Sequence, residues 1–406
     1  MKNSIKKIIL FLSVTIWLIT TTTTTTTAFA QALDLSFNHG TGPNGAISTT
    51  AIQSDGKIII GGDFTSYDGT ERNSMARLND DGSIDTSFDP GTGANNIIRT
   101  ISIQGDGKII IGGNFTSYNG TNSRCIARLN VDGSLDTSFD PGTGASIQWQ
   151  TASIFTTSLQ DDGKIIIGGN FKWYNGTTRN RIARLNTDGS LDPSFEIGFG
   201  LTHLNDRVYT TAIQSDGKII IGGNFSLSPY RHVARLNTDG SFDTSFVTGF
   251  GANDQIQTIS IQNDGKIIIG GWFTAFDQTV RNRTARLNTN GSLDLSFESG
   301  TPIVQNHDKV HATGIQSDGK IIIAGTIAAY ESGIGINGFA RLNTDGSLDT
   351  SFDPEAGVSG SISTISIQSD GKIIVAGGFS SYHGTSINHI ARIDTFSLPV
   401  GIHSLK

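Results

Sequence analysis

Apolar and polar positions alternate in short stretches rich in β-branched residues, and one such stretch returns seven times. The first is residues 47–53 (Ile-Ser-Thr-Thr-Ala-Ile-Gln), followed by residues 98–104, 154–160, 208–214, 256–262, 310–316 and 362–368. Alternation over this length predicts a half-buried strand, here strand A. Each stretch leads into Asp-Gly-Lys (Asp55 in the first) and then a continuous apolar run of the type Ile-Ile-Ile-Gly-Gly-Asn-Phe, as at residues 109–115. That run is strand B, and a three-residue loop ending in glycine makes the pair a hairpin, because the turn needs positive φ at its last residue. A third segment, Ile-Ala-Arg-Leu-Asn at residues 126–130, is strand C. It passes through Asp-Gly-Ser into Leu-Asp-Thr-Ser-Phe at residues 135–139, strand D. Helical periodicity is absent throughout. Seven units of four antiparallel strands predict an all-β, seven-bladed β-propeller.

The two ends of the chain set the closure. Strands A, B and C occur seven times, but the turn leading into strand D occurs six times, with Asn290-Gly-Ser as its one variant. The missing strand D stands at the front, Leu33-Asp-Leu-Ser-Phe37, and the last unit breaks off after Ile393. An N-terminal strand completing the C-terminal blade would seal the ring and remove a free sheet edge. Turn geometry then sets Arg77 opposite Asp85 and Arg128 opposite Asp136, with equivalents in the other units. Arg392 has no downstream partner in register, so its expected partner is Asp34. A pair in every unit reads as structural.

These blocks, Ile-Gln-x-Asp-Gly-Lys-Ile-Ile-Ile-Gly-Gly and Ala-Arg-Leu-Asn-x-Asp-Gly-Ser-Leu-Asp-x-Ser-Phe, resemble the bacterial delta-60 repeat over residues 33–394. The resemblance implies a secreted β-propeller and is silent about activity. Unit six departs from it, with Ala324-Gly-Thr-Ile327 in place of Gly-Gly-Asn-Phe. A weaker likeness to kelch repeats rests on the Gly-Gly alone.

Composition adds limits. Glycine, 50 of 406 residues, belongs to the turns, since proline numbers only 8. Residues 1–30 read as a secretory signal, with Lys2, Lys6 and Lys7 before an apolar run and Ala28-Phe29-Ala30 as cleavage site. The expected division is therefore a signal peptide at 1–30, the propeller at 31–394 and a tail at 395–406. The mature chain carries no stretch that would span a membrane, and its expected place is the periplasm, the cell surface or the medium. Without the three signal lysines the formal charge of −7 becomes −10, which argues against nucleic acid as a partner. Cys125 is the single cysteine, so no intrachain disulfide supports the fold.

Function is sought on the face bearing the B–C and D–A loops, because the A–B and C–D turns are nearly identical. The D–A loops hold nine residues after Phe37, fourteen after Phe139 and twelve after Phe195 and Phe297. Loops of unequal length on a uniform scaffold are where binding residues are hung. Around units three and four they carry Trp149, Phe155, Trp173, Tyr174, Phe199, His203, Arg207, Tyr209, Tyr230 and Arg231, with His232 beside them. Aromatic rings among arginines suit a protein or glycan ligand. The residue entering strand A is Ser48, Arg99, Phe155, Tyr209, Gln257, His311 or Ser363, which supplies at most Arg99 and His311 for chemistry. The expectation is a non-enzymatic binding module that needs no cofactor or metal. Polysaccharide lyase or glycoside hydrolase activity is the alternative, and a purely structural domain of a surface protein is the third reading. His307 and His311 lack helical convergence for zinc. The stretch from Asn130 to Asp136 resembles a calcium loop without its final acid. Asn119 and Asn175 match glycosylation acceptors in turns.

Overall fold

The computed structural model describes residues 33–148, 151–198, 201–227, 230–298, 307–328, 337–352 and 357–395. The signal-like segment, Trp149, Phe199 and the tail beyond Thr395 lie outside them. Among the described residues every regular element is a strand. Each unit forms an antiparallel sheet in the order A–B–C, from Ile47–Ile52, Ile58–Gly62 and Met75–Leu78 in the first to Val358–Ile367, Ile373–Tyr382 and Ile390–Ile393 in the seventh.

Strand B is buried along its whole length, as in Ile58–Gly62, because neighbouring sheets cover both of its faces. That explains a run of isoleucines where one-sided burial would give alternation. Its first glycine is set by close approach: a Cβ on Gly61 would lie 2.8 Å from Cγ2 of Ile98 in the next unit. The strand B phenylalanines, including Phe115, Phe171 and Phe273, are fully buried. Each burial contributes about 2 to 3 kcal/mol.

Strand D differs from expectation. It makes a single bridge, Leu78 with Ile84 in unit one, and then turns away. The cause is Asp85, whose carboxylate accepts both the main-chain N–H (2.9 Å) and the hydroxyl (2.7 Å) of Ser87. A local side-chain turn of this kind competes with strand pairing. It drops Phe88 into the gap toward the next unit, where Gly133 lies against its ring. The sheets therefore hold three strands and a one-residue bridge, not four full strands.

The B–C connection also differs from a free loop. It folds into a two-residue hairpin, Ser66–Tyr67 with Thr70–Glu71, turning at Asp68 and Gly69 with φ of 45° and 76°. Tyr67 is buried and donates its hydroxyl to the carbonyl of Gly82 at 2.9 Å. The hairpin thus lies along the flank of its blade.

Neighbouring units meet through their A strands under a simple matching rule. Ser102 faces Thr157 with hydroxyls 2.7 Å apart, Ser158 faces Thr211 at 2.7 Å, and Ser260 faces Thr313 at 2.8 Å. Where the first residue is instead Ala51, Ala212 or Gly314, the next unit offers Ile101, Ile259 or Ile365. Serine meets threonine, and alanine or glycine meets isoleucine. Ser366 of unit seven follows the same rule, facing Thr50 of unit one at 2.7 Å.

At the chain ends Leu33 bridges Ile393, and Asp34 donates its main-chain N–H to Arg392 O at 2.9 Å. The Asp34 carboxylate takes Arg392 Nε at 2.7 Å and Lys372 Nζ at 2.7 Å. Arg77–Asp85 and Arg128–Asp136 have the same Nε–Oδ2 geometry at 2.7 Å. In each, the lysine of Asp-Gly-Lys joins as a second cation, Lys57 at 2.8 Å and Lys108 at 2.7 Å.

Candidate binding site

Every strand A carries a register irregularity at its second residue. In unit one it falls between Ile47 and Thr49, in unit three between Ile154 and Thr156, in unit six between Val310 and Ala312. The bulged residues are Ser48, Arg99, Phe155, Tyr209, Gln257, His311 and Ser363, all half-buried. A bulge turns its side chain out of the alternating pattern, and bulges recur beside functional sites. The most variable position of an otherwise repetitive strand is thus the one whose side chain is re-aimed, at the end where the chain enters each blade.

Three of these residues form a contiguous stack. The Phe155 and Tyr209 rings are 5.3 Å apart at a tilt of 42°, and the Arg99 guanidinium lies 5.6 Å from the Phe155 centroid. Asn114 orients the arginine, accepting from its Nε at 2.5 Å and from the Ser153 hydroxyl at 3.0 Å. Burial pulls the Arg99 pKa down, and the carboxylate of Asp63 partly offsets it. The stack therefore presents a cation over an aromatic surface.

At the bulge of unit six, His311 contacts the Thr326 hydroxyl at 3.3 Å. Burial, aided by Lys309, lowers its pKa to about 4. Lys309 itself sits 3.6 Å from the Trp272 ring. Trp272 occupies the place that Asn114 and Asn170 hold in units two and three, and its significance was not visible in the sequence.

The patch expected around units three and four divides. Phe155 and Tyr209 come together in the stack. Trp173 lies on the hairpin of unit three, with Lys172 Nζ 4.7 Å from its ring. His203 and Arg231 are exposed and Arg207 is half-buried. Tyr174 and Tyr230, expected on the surface, belong to the core: Tyr174 donates to Gly189 O at 3.0 Å, and Tyr230 stacks on Phe242 at 5.1 Å. Packing offers the Tyr174 hydroxyl a carbonyl and the Tyr230 ring an aromatic neighbour.

Other candidate chemistry is absorbed by the scaffold. Cys125 is buried with its thiol against Ala152 O at 3.3 Å, and burial pushes its pKa up to about 12. Asp132 accepts from Ser134, and Asp136 is held by Arg128 and Lys108, so the loop resembling a calcium site spends its oxygens internally. Asn119 and Asn175 each accept a threonine N–H at 3.2 Å and tie D–A loops down. Among the described residues no group of three or more His, Cys, Asp or Glu converges.

A family model described as a domain of unknown function (DUF5122) beta-propeller matches residues 53–88, 104–139, 160–195, 214–246, 262–297, 316–352 and 368–395. No curated protein matches the chain. Among solved structures it is similar to a catalytically inactive virginiamycin B lyase from Staphylococcus aureus with quinupristin, at TM-score 0.54 and 16% identity, covering 88% of this chain and 97% of that one. It is similar to the WD40 beta propeller domain of Doa1 at TM-score 0.52 and 14% identity, covering 91% and 97%. A third is the extracellular domain assigned to a hybrid two component system of B. thetaiotaomicron, at TM-score 0.53 and 11% identity, covering 90% of this chain and 42% of that one. At these identities the likeness shows the fold alone.

Proposed function

The chain belongs to the DUF5122 β-propeller family, and from that footing we propose a secreted or surface-associated binding module that takes a protein or glycan ligand at the bulged ends of its A strands. The carrying observation is the Arg99–Phe155–Tyr209 stack, built from the variable residue of a repeated strand. Flat rings accept a sugar face or an apolar side chain, and the guanidinium accepts a carboxylate or carbonyl. Trp173, His203, Arg207 and Arg231 extend the contact surface outward. The reading includes cleavage after Ala30, a domain over residues 31–394 and a sealed ring of seven blades. Support for the seal comes from the Leu33–Ile393 bridge and from Ser366 facing Thr50 as other units face one another.

The test is binding of the wild-type chain to glycan and peptide arrays, repeated with Phe155→Ala, Tyr209→Ala and Arg99→Gln. Each substitution should weaken the wild-type hits about ten-fold, in line with loss of one aromatic or charge-assisted contact. Hits indifferent to all three changes would remove the stack from the site. Cleavage products from an arrayed polysaccharide would replace the binding reading with an enzymatic one.

A further inference from the structure

The entries to the A strands carry positive charge of one particular kind. At the bulge and at the residue two before it, the seven units hold three cations, Arg99, Arg207 and Lys309, and no acid. They fall in units two, four and six. Among the described residues none of the three forms an ion pair. Every Asp-Gly-Lys lysine and every strand C arginine, by contrast, is tied to a strand D aspartate, as Lys57 and Arg77 are to Asp85.

The acids next to two of these cations face the other way. Asp206 and Asp308 are 6% and 2% exposed and interact with Arg181 and Arg283 of the preceding unit. Successive residues of an extended chain point to opposite sides, so a buried acid leaves its neighbour, Arg207 or Lys309, toward the surface. The exposed carboxylate of Asp63 stands near Arg99 without bridging it, and that of Asp254 interacts with His232 and Arg283.

Two of the cations lie on aromatic rings. The Arg99 guanidinium is 5.6 Å from the Phe155 centroid, and Lys309 Nζ is 3.6 Å from that of Trp272. A ring face holds a cation in place through its quadrupole without neutralising it, so the charge stays available to an anion. The rings stand in the units between, Phe155 in unit three, Tyr209 in unit four and Trp272 in unit five, all half-buried. Cations and flat apolar surfaces thus interleave from unit two to unit six.

On the binding reading given above, we infer that the ligand of this surface is an acidic polysaccharide, whose carboxylates pair with Arg99, Arg207 and Lys309 and whose sugar rings lie on Phe155, Tyr209 and Trp272. Separated cations call for separated anions. A nucleic acid duplex, with a charge for about every 1.7 Å, is too densely charged for them, and the formal charge of −10 without the three signal lysines repels such a polymer. An acidic peptide offers carboxylates on flexible stems and no saturated ring face. A uronate residue has both in one unit.

The test is calorimetric titration of the chain from Gln31 to Lys406 with polygalacturonate, alginate and hyaluronate, and with their methyl esters, which keep the sugar rings and lose the charge. Saturable binding to at least one polyuronate is expected, about ten-fold tighter than to its ester. Arg207→Gln and Lys309→Gln should each weaken it about ten-fold, the loss of one charge-assisted hydrogen bond. Arg124→Gln, which removes an exposed cation of the B–C connection, should leave it unchanged. Should Lys309→Gln fail to fold, Arg207→Gln and the esters still decide. Equal binding of acid and ester overturns the inference and leaves the stack as a site for neutral sugars. No binding to any of the three polyuronates also overturns it, and hits among neutral glycans or peptides on the arrays would then leave the binding reading standing. Polyuronate binding indifferent to both substitutions sinks it too, as does polyglutamate bound as tightly as the best polyuronate, which would make the partner an acidic protein.

Discussion

Arg392 and Asp34 stand 358 positions apart and meet through Nε and Oδ2 at 2.7 Å. Asp34 also holds Lys372, and Arg392 also reaches the hydroxyl of Ser36 at 3.1 Å. One carboxylate thus organises two cations at the junction of the chain's ends. Removing it leaves a nearly buried guanidinium with only the exposed carboxylate of Asp80, 3.1 Å from Nη1, as counter-charge, a change that costs about 3 kcal/mol. Asp34→Ala should lower the melting temperature by several degrees, measured by calorimetry or circular dichroism. An unchanged midpoint would mean that this pair adds nothing to the contact between the chain's ends.

The same arrangement governs acid stability. Burial alone would raise the pKa of Asp34, Asp85, Asp136 and Asp192, but hydrogen bonds from lysine, serine and arginine outweigh it and hold each carboxyl far below the ordinary range. A carboxyl with a depressed folded pKa contributes stability that is complete above its unfolded value, about 3.9, and is lost as pH falls toward the folded one. Urea midpoints should therefore stay level between pH 7 and about 5 and drop steeply below about 4. Asp192→Asn should lower the plateau and flatten the acid limb. An acid limb of wild-type steepness in that variant would place the protons elsewhere.

Much of this was legible because each unit repeats the same physics. Alternation marked strand A, the isoleucine run marked strand B, and Asp-Gly set turns whose register pairs Arg77 with Asp85 and, by analogy, Arg392 with Asp34. The two-residue hairpin escaped because Ser66–Tyr67 is too short to show alternation. Its signal was the Asp-Gly and Asn-Gly at Asp68 and Asn119, the usual marks of a tight hairpin turn. Strand D shrank to one bridge because the serine of Leu-Asp-Thr-Ser-Phe caps the aspartate instead of extending the strand. Tyr174 and Tyr230 misled because a phenol's polarity says nothing of a carbonyl or a ring waiting inside. The bulge at Phe155 and Tyr209 leaves no mark in composition, although variability at one position of a repeated strand pointed to the same residues.

His311 offers a check on the bulged positions of the A strands. Burial, with Lys309 nearby, puts its pKa at about 4, so the imidazole stays neutral from pH 5 to 8. Its NMR titration should have a midpoint near 4. Lys309→Gln removes the smaller cause and should move that midpoint upward. A midpoint near the free value of about 6.5 would mean that the ring is solvated and does not face a dry wall of the site.

The matching of A strands bears on how seven nearly identical blades keep their order. Ser102 and Thr157 share a hydrogen bond of 2.7 Å where Ala51 and Ile101 share apolar contact, so a unit carrying serine suits a successor with threonine and not one with isoleucine. Thr157→Ile removes the hydroxyl shared by Ser102 and Thr100, leaves Ser102 only the Thr157 carbonyl at 3.1 Å, and adds volume against it, which should destabilise by about 1 to 3 kcal/mol. Adding Ser102→Ala makes room for the isoleucine and recreates the Ala51–Ile101 combination, so the double variant should recover part of that loss. Urea denaturation of the two single variants and the double variant gives the coupling directly, expected at about 1 kcal/mol or more. Because Ser366 and Thr50 obey the same rule between the last unit and the first, the cycle made with Ser366→Ala and Thr50→Ile should give a coupling of similar size. Additivity at the Ser366–Thr50 contact beside coupling at Ser102–Thr157 would mean that the last and first blades do not meet as the others do.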